Sequence, residues 1–165
     1  MTPLPPDWRE FFESLLAHEV RFVTIGALAV AVHAEPRFSE DLDVLVEPSV
    51  DNAARLRAAL VSFGFTAPPD AEVLAHPDHM LMIGRKPLRI DVLKSISGVT
   101  FEEAWRGRVE VEIDGLLLPV IGREELVRNK RAAGRNKDLR DVALLEGIDH
   151  GLTGRRRPPR KRKKT

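Results

Sequence analysis

The chain has 165 residues, of which 43% are hydrophobic and 31% are charged, a balance expected of a water-soluble globular protein. It contains no cysteine, which excludes disulfides, thiolate metal ligands and a thiol nucleophile. No apolar run approaches the roughly 20 residues that span a bilayer, and the first residues lack the pattern of a secretory signal. We therefore expect a cytoplasmic protein that does not enter the membrane.

The net charge of +1 conceals an uneven distribution along the chain. Residues 155–164, "RRRPPRKRKK", carry eight of the 26 lysines and arginines, which leaves 18 basic residues against 25 acidic ones elsewhere. We expect residues 1–150 to form one domain and residues 151–165 to form a disordered basic tail. Such a tail either improves solubility or contacts nucleic acid, and the sequence leaves both functions open.

Hydrophobic periodicity and turn residues predict alternating helices and strands. Asp7 is the predicted cap of the first helix, and Thr100 with Glu103 forms a predicted capping box. The predicted helices cover residues 8–16, 27–34, 49–64, 101–107, 123–133 and 136–147. The predicted strands cover residues 20–26, 41–46, 79–84, 88–94, 108–113 and 116–120, with a loop at 66–78. This pattern indicates an α+β fold with a mixed, mostly antiparallel sheet flanked by helices and completed by two C-terminal helices.

Two acids interrupt the hydrophobic strand "DLDVLV" at residues 41–46. Side chains alternate faces along a strand, so Asp41 and Asp43 share one face at a spacing of about 6.6 Å. At that spacing two unit charges repel by roughly 2–3 kcal/mol for an effective dielectric constant near 20. Asp91 occupies an equivalent position in "RIDVL", and if the strands are neighbours the three carboxylates meet. They would then hold divalent cations, or else form an acidic face that only contacts water.

Other residues predict an anion site beside these acids. Gly26 ends a strand and opens a helix, where free backbone N–H groups point towards a phosphate, although a plain turn would also need glycine. Ser39 either contacts phosphate oxygens or lies in a solvated loop. Lys130 belongs to a basic stretch opposite in sign to the acids, which either supplies a cation to a bound phosphate or is a solvated helix face. Asp138 and Asp141 share one helix face, and local ion pairing with Lys137 or Arg135 is the alternative to a role in the site.

These motifs resemble the nucleotidyltransferase-fold superfamily. The segment "IGALAVAVHAEPRFSEDLDVLV" followed by the acid of "RIDVLK" is similar to its signature of a hydrophobic residue, Gly, Gly or Ser, then Asp-x-Asp and a third carboxylate on a later strand. The segment "REELVRNKRAAGRNKDLRDVALLE" resembles the helical end of the AbiEii-type branch, which belongs to abortive-infection and toxin–antitoxin systems. The resemblance covers residues 20–147.

The resemblance implies a reaction and a set of site residues. The expected activity moves a nucleoside monophosphate from a nucleoside triphosphate to a hydroxyl of RNA or protein, with Mg²⁺ or Mn²⁺ as cofactor. A cognate toxin or antitoxin is an expected partner. The implied site comprises the catalytic and metal-binding Asp41, Asp43 and Asp91, with Asp91 also the base, and the nucleotide-binding Gly26, Ala27, Ser39, Lys130 and Asp138.

Ala27 stands where the superfamily has its second Gly or Ser. An alanine still presents its backbone N–H but offers no hydroxyl. A second hypothesis is therefore a non-catalytic module of this fold, which binds nucleic acid or a partner protein.

Overall fold

The computed structural model describes residues 3–147, and the predicted basic tail at residues 151–165 lies outside them. The helices are α1 Pro6–Ala17, α2 Gly26–His33, α3 Val50–Phe63, α4 Ala71–Ala75, α5 Phe101–Arg106, α6 Arg123–Ala133 and α7 Asn136–Glu146. The strands are β1 Phe22–Ile25, β2 Asp41–Val46, β3 Leu81–Ile83, β4 Arg89–Leu93, β5 Val109–Ile113 and β6 Leu116–Val120.

The six strands form one sheet in the order β3-β4-β2-β1-β6-β5. The pairs β1–β2, β3–β4 and β5–β6 are antiparallel, whereas β1–β6 and β2–β4 are parallel. The predicted α+β class with a mixed, mostly antiparallel sheet is therefore confirmed. The two parallel pairs place strands that are distant in sequence side by side at the centre of the sheet.

Local signals in the sequence account for several element ends. Thr100 accepts a hydrogen bond from the backbone N–H of Glu103, whose side chain in turn accepts one from the N–H of Thr100, as the predicted capping box requires. Asp114 and Gly115 both have positive φ, at 49° and 78°, which matches the tight turn between β5 and β6. Gly64 ends α3 in the left-handed conformation.

Two local predictions are wrong. Asp7 does not cap α1, because the helix begins one residue earlier at Pro6, and no side chain bonds its first N–H groups. The fixed φ of proline suits the first helical position, where its missing N–H has no cost. The predicted loop at 66–78 contains α4, whose single turn is held by Leu74 at 1% exposure. A helix of this length is too short to show hydrophobic periodicity.

The hydrophobic core fills the space between the sheet and helices α1 and α3, which pack against each other. Phe11 of α1 meets Phe63 of α3 edge to face, with ring centroids 5.5 Å apart. Leu42 and Val44 of β2 are fully buried, so one face of this strand is committed to the core. Helix α2 packs against β1, β2, α6 and α7. No helix within residues 3–147 is long and apolar enough to cross a membrane.

Candidate active site

The parallel pairing of β2 with β4 brings the predicted acids together. In its register Asp43 lies opposite Asp91, and Asp41 lies opposite Arg89. One carboxylate oxygen from each of Asp41, Asp43 and Asp91 lies within 4.8 Å of the others. We call these three residues the acidic triad. The condition on which the sequence prediction depended, that the two strands are neighbours, is met.

Arg89 is the direct counter-ion of two members of the triad. Its Nη2 donates hydrogen bonds to Oδ2 of Asp41 at 3.2 Å and to Oδ2 of Asp91 at 3.1 Å. Its Nε lies 3.0 Å from Oδ1 of Asp91 but outside hydrogen-bonding geometry, so both atoms are buried without a hydrogen-bond partner among residues 3–147. One cation thus serves two of the three carboxylates.

Among the three acids, Asp43 is the one whose ionisation is clearly disfavoured by this arrangement. Burial raises the pKa of Asp43 to about 7, and the negative charges of Asp41 and Asp91 act in the same direction, against a smaller lowering by Lys130. Near neutral pH this carboxyl therefore retains a proton for part of the time. A divalent cation would replace that proton and neutralise the crowded charge.

Gly26 is the residue that makes room for Asp43. It has a φ of 68°, which favours glycine, and a Cβ at this position would lie 2.3 Å from Oδ2 of Asp43. No larger residue fits unless Asp43 moves. Because Ile25 pairs with Asp43 in the β1–β2 register, the start of α2 is held beside the triad. Glycine is thus required at position 26 because the Asp43 side chain lies so close, and also because the φ angle there is positive.

An open cleft with a volume of about 790 Å³ contains the triad. Four of the predicted nucleotide-binding residues line it, namely Gly26, Ala27, Lys130 and Asp138, and their contact with a nucleotide stays a prediction. Ser39 lies outside this lining, and its hydroxyl donates to the backbone carbonyl of Asp41 at 2.7 Å. The placement of Ser39 therefore supports the start of β2, and contact with a nucleotide stays a prediction.

A second group of charges on α6, α7 and the segment before β2 lines the same cleft. We call it the α6–α7 ion-pair cluster; it consists of Arg37, Lys130, Arg135, Asp138 and Asp141. The ammonium of Lys130, 8% exposed as a residue, lies 3.4 Å from Oδ1 of Asp138 and 3.1 Å from Oδ2 of Asp141. Arg135 donates to Asp138, with its Nε 2.7 Å from Oδ2. Arg37 donates two hydrogen bonds to Asp141.

Neighbouring cations neutralise the charges of both acids in this cluster, Asp138 and Asp141. Burial alone would raise the pKa of Asp138, but the hydrogen bond from Arg135 and the charge of Lys130 outweigh it and lower the pKa. Burial likewise opposes ionisation of Asp141, whereas hydrogen bonds from Arg37 and Lys130 lower its pKa. Both carboxylates are therefore ionised. Lys130 pairs with both of them from α6, whereas Arg135 pairs with Asp138 locally at the start of α7, which is the local ion pairing that the sequence left open.

The residues of the triad fit a divalent cation. Hard cations such as Mg²⁺ prefer carboxylate oxygens and complete their coordination with water and substrate phosphates. The triad offers oxygens from three acids within 4.8 Å of one another, and one arginine is directly bonded to two of these three charges. The triad can therefore hold such an ion with these side chains as its protein ligands.

Sequence reasoning did not assign the role of Arg89. Strand alternation places it on the same face as Asp91, which was a readable signal, but its bond to Asp41 depends on the pairing of β2 with β4. Arg37, which lies just before β2, bonds Asp141, 104 residues away in the chain. Neither long-range partner could be read from local spacing.

Comparison with known proteins identifies the fold. No known family's sequence profile matches the chain, and no curated protein is significantly similar in sequence. A solved structure from Thermotoga maritima, described as a candidate nucleotidyltransferase, is similar with a TM-score of 0.55 and 16% sequence identity. The match covers 82% of this chain and 87% of the other. The chain therefore has a nucleotidyltransferase-like fold, as the sequence resemblance implied, and the AbiEii-type branch stays a prediction.

Proposed function

We propose that the protein is a metal-dependent nucleotidyltransferase that moves a nucleoside monophosphate from a nucleoside triphosphate to a hydroxyl group. The observation that supports it is the meeting of three carboxylates from two strands beside Gly26, within a cleft of a nucleotidyltransferase-like fold. RNA and protein are the acceptor classes that the sequence resemblance implies. A role in a toxin–antitoxin pair and a cytoplasmic location remain parts of the proposal.

The residues of the site would have separate roles in this reaction. The triad would hold Mg²⁺ or Mn²⁺, which when bound compensates charge on the transferring phosphoryl group. Free backbone N–H groups at Gly26 and Ala27 would orient the triphosphate. Asp91 would accept the proton of the acceptor hydroxyl while the oxygen of that hydroxyl forms a bond to the α-phosphorus. The bond from that phosphorus to the bridging oxygen would break, and pyrophosphate would leave.

A transfer assay tests the proposal. The protein is incubated with each radiolabelled nucleoside triphosphate, Mg²⁺, and RNA or protein from a cell extract. We expect label on one acceptor class with the wild type and none with Asp43→Asn. Glu112→Gln, on the exposed edge strand β5, removes a carboxylate away from the cleft and should retain activity. Equal labelling by the wild type and Asp43→Asn would contradict catalysis by the triad.

The alternative of a non-catalytic module is favoured by two observations. Arg89 is bonded to two of the three carboxylates, and Ala27 stands where the superfamily has Gly or Ser. Titration with Mn²⁺ separates the two functions. An enzyme should bind the ion in the wild type and lose it in Asp41→Ala, whereas a non-catalytic module should bind it in neither.

A further inference from the structure

One aromatic side chain, Phe38, follows Arg37, a residue that lines the cleft, and has no part in the reaction proposed above. Its exposed fraction is 82%, the highest among the large hydrophobic residues of the described chain that are exposed. Single exposed apolar residues are common on protein surfaces and need no explanation by themselves. Phe38 differs because hydrogen bonds hold both of its chain neighbours and because cations line the cleft next to its segment.

Both chain neighbours of Phe38 are fixed by hydrogen bonds. Arg37 donates from Nη1 and Nη2 to the two carboxylate oxygens of Asp141 on α7, at 2.6 and 3.1 Å. Asp141 is 4% exposed, so this anchor is a buried one. On the other side, the hydroxyl of Ser39 donates to the backbone carbonyl of Asp41, the first residue of β2. The backbone at Phe38 is therefore held in place relative to the acidic triad, while its ring faces water.

The cleft beside this segment has cations in its lining, among them Arg37, Lys86, Arg135 and Lys137. Arg37 and Arg135 are bonded to Asp141 and Asp138. Lys86, in the turn between β3 and β4, has its Nζ 4.0 Å from an oxygen of Glu40, two residues after Phe38. Lys86 and Lys137 are exposed, so they are the cations of this group that remain available to a polyanion.

An exposed aromatic ring together with exposed cations is an arrangement that binds single-stranded nucleic acids, since bases stack on the ring and phosphates meet the cations. A protein acceptor would instead need a larger interface of several closely packed residues, and Phe38 is the one large exposed hydrophobic residue among residues 34–40. We propose that Phe38 is a stacking platform for a nucleobase of a single-stranded polynucleotide that enters the cleft. This inference rests on the proposed function and specifies its acceptor class, whose sugar hydroxyl would receive the nucleotide.

Equilibrium binding of fluorescently labelled single-stranded oligonucleotides tests the platform with the full chain, without metal or nucleoside triphosphate. Phe38→Ala should weaken binding by between about fivefold and about 150-fold, the usual effect of removing one stacked base. Phe38→Trp should retain the affinity, and its added fluorescence should be quenched by the oligonucleotide. Leu117→Ala, which removes a side chain 60% exposed on β6, is the matched control and should bind like the wild type. The basic tail is present in every variant, so its contribution cancels.

RNA and DNA oligonucleotides of the same sequence form two arms of the test and show which sugar is preferred. Unchanged affinity of Phe38→Ala for both would overturn the inference. So would an equal loss of affinity for a nucleoside triphosphate alone, because Phe38 would then stack on the donor base. Unchanged oligonucleotide binding together with lost transfer to a protein would also overturn it. Oligonucleotide binding is measured without nucleotide transfer, so the test of Phe38 still applies if the protein does not catalyse the proposed reaction.

Discussion

Two groups of charged side chains line the cleft. Carboxylates outnumber cations in one group, and cations outnumber carboxylates in the other. The acidic triad has three carboxylates and is directly bonded by one cation, Arg89, whereas the α6–α7 ion-pair cluster has two carboxylates and three cations. The consequence appears in the pKa values. Burial and neighbouring acids raise the pKa of Asp43 to about 7, while the partners of Asp138 and Asp141 overcome burial and lower theirs.

This difference separates a site that needs a ligand from one that holds structure. A surplus of carboxylates in the triad is stabilised by a proton or by a divalent cation, so the triad is suited to binding. The cluster is already neutralised, and its hydrogen bonds join α6, α7 and the segment that carries Phe38. The charge of Lys130 is therefore committed to Asp138 and Asp141, and its direct contact with a nucleotide stays a prediction.

The largest expected effect follows from loss of a triad carboxylate. Asp91→Asn removes a proposed metal ligand and the proposed proton acceptor, and we expect the rate of nucleotide transfer to fall by about 1000-fold or more. The measurement is the initial rate of transfer at saturating Mg²⁺, with Glu112→Gln as the control. Retention of more than a tenth of the wild-type rate would remove Asp91 from the reaction.

The next effect concerns the cluster. Lys130→Met would leave two buried carboxylates with fewer partners, and we expect the free energy of unfolding to fall by about 3 kcal/mol. Arg131→Met is the control on the same helix, because Arg131 is exposed and its ion pair with Glu146 should contribute less than about 1 kcal/mol. Urea unfolding of both variants measures the difference. Similar losses in the two variants would show that burial of the Lys130 pairs does not matter.

Asp43 should make stability depend on pH in the metal-free protein. Between about pH 4 and pH 7 the folded protein retains a proton at Asp43 that the unfolded chain has released. Proton binding at Asp43 therefore stabilises the folded wild type at the lower pH, and its free energy of unfolding falls as the pH rises through that range. Asp43→Asn does not titrate, so we expect it to be more stable than the wild type by on the order of 2 kcal/mol at pH 8.

The comparison of the two proteins at pH 5 and pH 8 isolates Asp43, because the other titrating groups are the same in both. The lowered pKa values of Asp138 and Asp141 act in the opposite direction and destabilise both proteins as the pH falls. An advantage of Asp43→Asn that is the same at both pH values would contradict the raised pKa of Asp43.

The smallest expected effect is that of Ser39→Ala. Loss of the hydrogen bond to the carbonyl of Asp41 should lower the free energy of unfolding by about 1 kcal/mol. If Ser39 only supports β2, the KM for the nucleoside triphosphate should stay within about twofold of the wild-type value. A larger rise in KM with unchanged stability would instead assign the hydroxyl to the nucleotide, as the sequence predicted.

Sequence reasoning located the central features of the site because they depend on local rules. Alternation along a strand placed Asp41 and Asp43 on one face, and the strand-to-helix junction identified Gly26. The nature of the contact at Gly26 could not be read from sequence, since it depends on how close Asp43 approaches. The raised pKa of Asp43 was equally hidden, because it depends on burial and on charges brought by β4.

Long-range partners were the main part that sequence could not supply. Arg89 was on the correct face, yet its bond to Asp41 joins residues 48 positions apart. The bond from Arg37 to Asp141 required the packing of α7 near the start of β2. Helix α4 was missed for a different reason, since one turn held by a single buried leucine leaves no periodic pattern.

The parallel neighbours β2 and β4 have a consequence for tracing the ancestry of the site. Asp43 meets Asp91 through strand register, and residues 47–88, which include α3, α4 and β3, connect the two strands. The loops between these elements can gain or lose residues without moving either acid, because surface insertions cost little free energy. A search for distant relatives should therefore require the glycine, the alternating acids and the later acid, and leave the interval between the two strands free.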